Sequence, residues 1–163
     1  MNSMRYALVL ITGILIGAGA QSVVVGQPRD IVSLNHVAIA VPDYERAAAF
    51  YSDVMGFRRA FALRQPDGSP YLSYFQVNSS TFVEVMAVTP QRPAGFVHFG
   101  LEVSDVDATV RRLRAAGMKV GDPSVSAQTK SRIAVAHTPD GTTFELLQFG
   151  PDSLQRQAMN SWR

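Results

Sequence analysis

Cysteine is absent from the 163 residues. That absence removes thiol nucleophiles, iron–sulfur clusters, CxxC redox pairs and thiolate zinc sites. Any metal must therefore be held by histidine, carboxylate or backbone oxygen. Histidine is itself scarce, at His36, His98 and His137. Long runs of like charge are missing too: the net charge is +2, and the densest basic clusters are the pairs Arg58-Arg59 and Arg111-Arg112. Basic residues this dilute give no footprint for nucleic acid, although the pI is near 9.2. The apolar run from Ala7 to Ala20 is too short for the roughly 20 residues that span a bilayer, so stable membrane insertion is not expected.

What is present suits one globular domain, with 47% hydrophobic and 17% charged residues. Arg5, the apolar stretch from Ala7 to Ile16, and Ala18-Gly19-Ala20 have the order of a signal peptide over residues 1–20. A periplasmic or secreted chain is the expectation, and a lack of thiols suits an oxidising compartment. Residues 21–32 read as a linker, 33–150 as the domain and 151–163 as a tail. Leu154, Ala158 and Trp162 give the tail helical spacing, to pack on the domain or on a second subunit, and a homodimer is expected.

Ile31 to Val41 reads as a strand, rich in β-branched residues. Asp43 is placed to cap a helix whose apolar face is Ala47, Phe50, Tyr51 and Val54, with Gly56 as its stop. Phe57 to Leu63 follows as a strand, and Tyr71 to Val77 with Thr81 to Val88 as a hairpin. The same grammar restarts with a strand at Phe96 to Val103 and a helix capped at Ser104 or Asp105. Gly117 stops that helix, and strands follow near Met118, at Ile133 to His137 and at Thr143 to Phe149.

The two halves match in detail. His36 and His98 stand 62 residues apart, and each precedes an aspartate, Asp43 or Asp105, by seven. Glu84 and Glu145 are 61 apart. Each half thus carries a histidine on its first strand and a glutamate on its last, the signature of a duplicated module with copies near 33–90 and 95–150. The fold class is α+β: two tandem βαβββ modules forming a curved mixed β-sheet cleft, read as two curved sheets facing inward.

Period-two alternation puts Val37, Ile39 and Val41 on an apolar face and His36, Ala38 and Ala40 on the other. In the second copy Val97, Phe99, Leu101 and Val103 are the apolar set, with His98, Gly100 and Glu102 opposite. Glu84 and Glu145 each sit inside an apolar strand, where an unpaired carboxylate costs several kcal/mol. His36, Glu84, His98 and Glu145 are therefore the candidate ligands of one divalent ion. Two imidazoles and two carboxylates suit zinc, nickel, cobalt, manganese or ferrous iron. A substrate with two adjacent oxygens could chelate such an ion. Weaker candidates are Arg58, Arg64, Lys130 and Arg132 as carboxylate anchors, and Tyr71, Tyr74 and Phe75 as cleft lining. His137 is a candidate outer acid or base, or a plain surface histidine.

The strings around these residues, LNHVAIAV, FVEVM, VHFGLEV and TPDGTTFELLQF, resemble the vicinal oxygen chelate superfamily over about residues 33 to 150. That group includes glyoxalase I, extradiol dioxygenases, methylmalonyl-CoA epimerase and bleomycin-resistance proteins. The resemblance implies paired βαβββ modules and the glyoxalase I metal set, with Glu145 as the base that moves the substrate proton and Glu84 as its partner. Ala40 and Val88 stand where bacterial glyoxalase I carries Arg and Asn, which argues against glutathione. The implied activity is a metal-dependent lyase or isomerase that moves a proton by carboxylate on a small substrate with vicinal oxygens, in a chain that residues 1–20 mark for export. Alternatives are an Fe(II) extradiol-type dioxygenase and a non-catalytic ligand-binding member.

Overall fold

The structure is a computed structural model that describes residues 30–163. The expected signal peptide and most of the expected linker lie outside the described residues, and the linker's last two residues, 31 and 32, already belong to a strand. The elements run in the order β1 (Ile31–Val41), α1 (Tyr44–Ala49), β2 (Arg58–Arg64), β3 (Pro70–Gln76), β4 (Phe82–Ala87), β5 (Gly95–Val103), α2 (Val106–Ala115), β6 (Ser124–Val125), β7 (Arg132–His137), β8 (Thr143–Gln148) and α3 (Leu154–Asn160). Before α3 this is βαβββ twice.

Both module helices start as their sequences predict. The Asp43 side chain accepts from Arg46 N at 3.0 Å, and Asp105 accepts from Ala108 N at 2.9 Å, each satisfying a first-turn amide. Helix α1 continues into a π-helical turn over Phe50–Val54. Gly56 and Gly117 end the helical segments at φ 69° and 87°, a left-handed conformation that a Cβ disfavours. The strand expected near Met118 does not form. That chain segment contributes one isolated bridge, Val120 to Ala136, and the short β6 pairs with β7 further on.

The eight strands form a single sheet in the order β2-β3-β4-β1-β5-β8-β7-β6. The expected two sheets are thus one, because the first strands of the two modules pair antiparallel along the seam. Within each module the last strand lies parallel to the first, β4 to β1 and β8 to β5. Such a pairing needs a long crossover, which the helix and hairpin supply.

One face of the sheet carries the helices. Ile39, Val41, Phe75, Val83 and Val85 pack with Ala48 of α1, and Val103, Ala134, Ala136, Phe144 and Leu146 with Val106 and Val110 of α2. The other face carries the candidate site, and the tail packs there: Ala158 joins a cluster with Ala38, Leu72, Tyr74, Phe82 and Met86. The inward residues of α3 are Gln155 and Ala158, whereas Trp162 is exposed. Arg156 Nη2 donates to Glu102 Oε1 at 2.7 Å and Arg58 Nη2 to the Ala158 carbonyl at 2.8 Å, binding the tail to the domain. Among the described residues no helix is long and apolar enough to cross a membrane.

Replacing Asp105 by Ala removes the α2 cap and should lower stability by about 1 kcal/mol in denaturant unfolding, with an unchanged m value. An unchanged midpoint would contradict the capping role.

Candidate metal centre

Strand register brings the four predicted ligands together. Glu84 on β4, Ala38 on β1 and His98 on β5 lie side by side, and so do Glu145 on β8, Gly100 on β5 and His36 on β1. Each row pairs a glutamate of one module with a histidine of the other across a small residue. Gly100 is small by necessity: a Cβ there would overlap the His36 imidazole and press on Leu147. Ala38 is fully buried between Glu84 and His98.

The four polar ends converge within one chain. His36 Nε2 lies 3.0 Å from His98 Nε2. Glu84 Oε2 stands 3.4 Å from the first and 3.3 Å from the second, and Glu145 Oε2 stands 3.7 and 3.6 Å from them. A metal with bonds of about 2.1 Å sets its ligand atoms about 3.0 Å apart at right angles and about 3.4 Å apart in a tetrahedron. The separations among His36, Glu84 and His98 match that range, whereas Glu145, at 3.6 and 3.7 Å from the two imidazoles, lies beyond it. His36, Glu84 and His98 make the tightest group, and Glu145 stands slightly further out.

Hydrogen bonds prepare His36 as a ligand. Asn35 Nδ2 donates to the Ser80 carbonyl at 3.1 Å, which turns Asn35 Oδ1 toward His36 Nδ1, also at 3.1 Å. An acceptor there places the proton on Nδ1 and leaves the Nε2 lone pair facing the centre. Burial lowers the His36 pKa to about 4, against the pull of Glu84 and with the help of His98, so the ring is neutral near pH 7. Burial opposes protonation of His98 as well, but its hydrogen bond to Glu84 and the charges of Glu145 and Glu84 prevail and raise its pKa.

The carboxylates differ. Burial pushes Glu84 up, yet the His98 hydrogen bond, the neighbouring imidazoles and the Tyr74 hydroxyl bring it below the ordinary value. Tyr74 donates to Glu84 Oε2 at 3.1 Å. Desolvation first, and then the charges of both glutamates, hold that phenol well above its usual pKa, so it remains a donor. Glu145 is raised by burial and by the charge of Glu84, with His98 opposing. Its side chain is 21% exposed against 4% for Glu84. Two carboxylates and two imidazoles crowded on one point, with the His36 lone pair turned inward, form a donor set that a divalent cation fits.

These groups open into a cleft of about 130 Å³, lined also by Tyr71, Tyr74, Thr129, Ile133 and Gln155. Phe75, expected there, packs under α1 because it alternates to the helix side. Val97 makes the opposite exchange. A register shift between Ala38 and Ile39 turns it to the cleft face, where it joins Tyr74 and Met86.

The basic candidates have structural partners instead. Arg58 bonds Gln76 and the tail, Arg64 the Gly68 carbonyl, and Arg132 pairs with Asp107 at 2.7 Å. Exposed Lys130 is absent from the lining of the cleft. His137 is outside it as well, hydrogen-bonded to Thr143 Oγ1 and lining a separate surface depression with Met118 and Val120. Sequence reasoning missed Asn35, Thr129 and Gln155, and saw Tyr74 only as lining.

With this geometry in view, the comparisons with known proteins identify the class. Residues 33–146 match the model of the Glyoxalase/Bleomycin resistance protein/Dioxygenase superfamily, and the chain belongs to it. It is 34% identical over 127 residues to a probable chloroplastic lactoylglutathione lyase of Arabidopsis thaliana, covering 71% of this chain and 35% of that one. The chain therefore spans about a third of that relative's length. It is 33% identical over 111 residues to an ethylmalonyl-CoA/methylmalonyl-CoA epimerase of Cereibacter sphaeroides, covering 60% and 82%. Among solved structures, methylmalonyl-CoA epimerase from Mycobacterium tuberculosis aligns with a TM-score of 0.66 at 26% identity, over 77% of this chain and 93% of that one.

Two outcomes follow from the site. Gly100→Ala should displace the His36 ring and weaken cobalt(II) uptake at least tenfold in an absorbance titration, with a stability loss of about 1–3 kcal/mol; unchanged affinity would show that the ring has room to spare. Acidification should also destabilise the metal-free protein. His36 has a folded pKa of about 4, below its unfolded value of about 6.5. Its contribution is therefore complete above pH 6.5 and is lost as the pH falls toward 4, by roughly 2–3 kcal/mol, partly offset by Glu145, whose raised pKa acts with the opposite sign. Denaturant melts across that window, compared with His36→Gln, should show a steeper fall in the parent chain; equal slopes would contradict a neutral buried His36.

Proposed function

We propose that this chain is a metal-dependent lyase or isomerase of the glyoxalase type, moving a proton at a carbon beside a carbonyl in a small substrate with vicinal oxygens. The observation that carries this reading is the inequality of its two carboxylates. Glu84 is anchored by Tyr74 and almost fully buried, whereas Glu145 is the more open of the two and faces the cleft. A divalent ion, zinc, nickel or cobalt in the first instance, would be held by His36, Glu84, His98 and Glu145 and would supply Lewis acidity toward a substrate oxygen.

The protein's own groups then divide the work. Glu145 is the base, its basicity raised by burial and by the charge of Glu84. Glu84 stays in place, and Tyr74 keeps it from rotating away. Leu63, Met86 and Ile133 wall the cleft and keep bulk water from the moving proton.

Size narrows the substrate. A cleft of about 130 Å³ lies well below the roughly 300–1,000 Å³ of sites that enclose drug-sized ligands, so a few heavy atoms fill it. Lactoylglutathione and methylmalonyl-CoA, the compounds in the relatives' names, each join a small acyl group to a long carrier. Ala40 is buried in the sheet and Val88 lies at its margin, and neither offers the polar contact that glutathione would need. Export, which we propose from residues 1–20, separates the chain from carriers made in the cytosol. The reading therefore favours a small free acid.

The test is solvent exchange. Protein loaded with zinc, nickel or cobalt is incubated in D2O with small 2-hydroxy and 2-oxo acids, with the methylglyoxal–glutathione hemithioacetal and with methylmalonyl-CoA, and the α-proton is followed by NMR. Exchange is expected with at least one compound, and a fall of at least 100-fold in both Glu145→Gln and Glu84→Gln. Full exchange by a metal-replete Glu145→Gln variant would refute the two-carboxylate mechanism.

A further inference from the structure

We propose that the C-terminal helix and the loop it clamps build a second polar subsite in the cleft, where Thr129 and Gln155 bind an acceptor oxygen on the part of the substrate that the metal does not hold. The inference rests on the metal reading above and adds the feature that selects among chelating acids.

Three observations converge on these residues. Thr129 Oγ1 is the one buried side-chain polar atom without a hydrogen-bond partner among the described residues. The residue is only 7% exposed and lines the same cleft as Glu84, His98 and Glu145. Natural interiors rarely leave such an atom unpaired, and in a ligand cleft the missing partner is supplied by what binds.

The backbone that carries Thr129 is held in an unusual form. Lys130, next in the chain, has φ 60°, the one positive value at a non-glycine residue among those described. Its amide donates to the Ser126 carbonyl at 3.0 Å, and Ser126 N donates to the Ser131 carbonyl at 2.8 Å. Thr129 N donates to Ser126 Oγ at 3.1 Å. The chain reverses tightly here, and the reversal turns the threonine inward. Strain of this kind persists only where the surroundings enforce it.

The tail provides that enforcement. Leu154 N, at the start of α3, donates to the Thr129 carbonyl at 3.0 Å. One residue on, the buried Gln155 enters the cleft beside Thr129. Ser131 Oγ donates to Gln155 Oε1 at 2.8 Å. With its oxygen engaged, Gln155 offers its two amide N–H groups, one directed at the Tyr74 hydroxyl and the other left for a ligand. A hydroxyl and an amide donor suit a carboxylate or ketone oxygen. The tail that supplies Gln155 lies beyond residues 33–146, so this half of the subsite is not part of the superfamily match.

The experiment compares two ligands that share one chelating group. Lactate and malate are both 2-hydroxy acids, and malate adds a second carboxylate. Cobalt(II)-loaded full-length chain is titrated with each, and binding is read from the cobalt absorption bands. The native chain should prefer malate by roughly tenfold or more. Thr129→Val and Gln155→Leu should each cut the preference to within about threefold, and Thr129→Ser should retain it. Equal affinity of the native chain for both acids, or a preference that survives in both variants, overturns the subsite while leaving the metal reading intact. A chain that takes up no cobalt overturns the metal reading, and this inference with it.

Discussion

Two glutamates, the buried Glu84 and the half-buried Glu145, face one point, and the rest of the structure answers to that constraint. Carboxylates withdrawn from water into a shared space repel each other and forfeit hydration, a combination that is stable only with cationic or donor partners. The fold supplies two imidazoles within 3.7 Å of both and a tyrosine hydroxyl on one of them. Together they leave a centre of two nitrogens and carboxylate oxygens on which a divalent cation can replace the protons that His98 and Glu145 otherwise favour.

Duplication makes this arrangement economical. A single module would bring one histidine and one glutamate to the face of a four-stranded sheet. Joining two copies along β1 and β5 places each module's histidine in a row with the other module's glutamate. The price is paid in side-chain volume at the seam, where Ala38 and Gly100 are the residues the register can accommodate. The copies have since diverged at the edge of the site. Tyr74 lies across from Glu84, whereas the corresponding neighbour of Glu145 is Val135. That single difference ties one carboxylate and leaves the other more open, which is the asymmetry a base and its partner require.

Much of this was legible in the sequence, for identifiable reasons. A 62-residue spacing of histidines, capping aspartates seven residues after each, and glutamates within apolar strands all report local rules that hold once the strands form. What escaped depends on departures from those rules. The register shift between Leu34 and His36 lets Asn35 and His36 both turn inward, although neighbours on a regular strand face opposite ways. The shift beside Ala38 turns Val97 to the cleft side of the sheet by the same means, where it packs with Tyr74 and Met86. The tail was read by its apolar residues, whereas its inward face includes a glutamine that no hydrophobic period marks. Thr129 depends on a loop reversal with a left-handed lysine, a conformation that lysine's own preferences do not announce.

The central claim is that both modules supply ligands to a single ion within one chain. The most direct test is elemental analysis of chelator-stripped protein reloaded with zinc, nickel or cobalt, alongside His36→Ala from the first module and Glu145→Ala from the second. The account predicts one ion per chain in the parent protein and loss of that ion in both variants. No bound ion under any loading, or an ion that either variant retains at full occupancy, would contradict it.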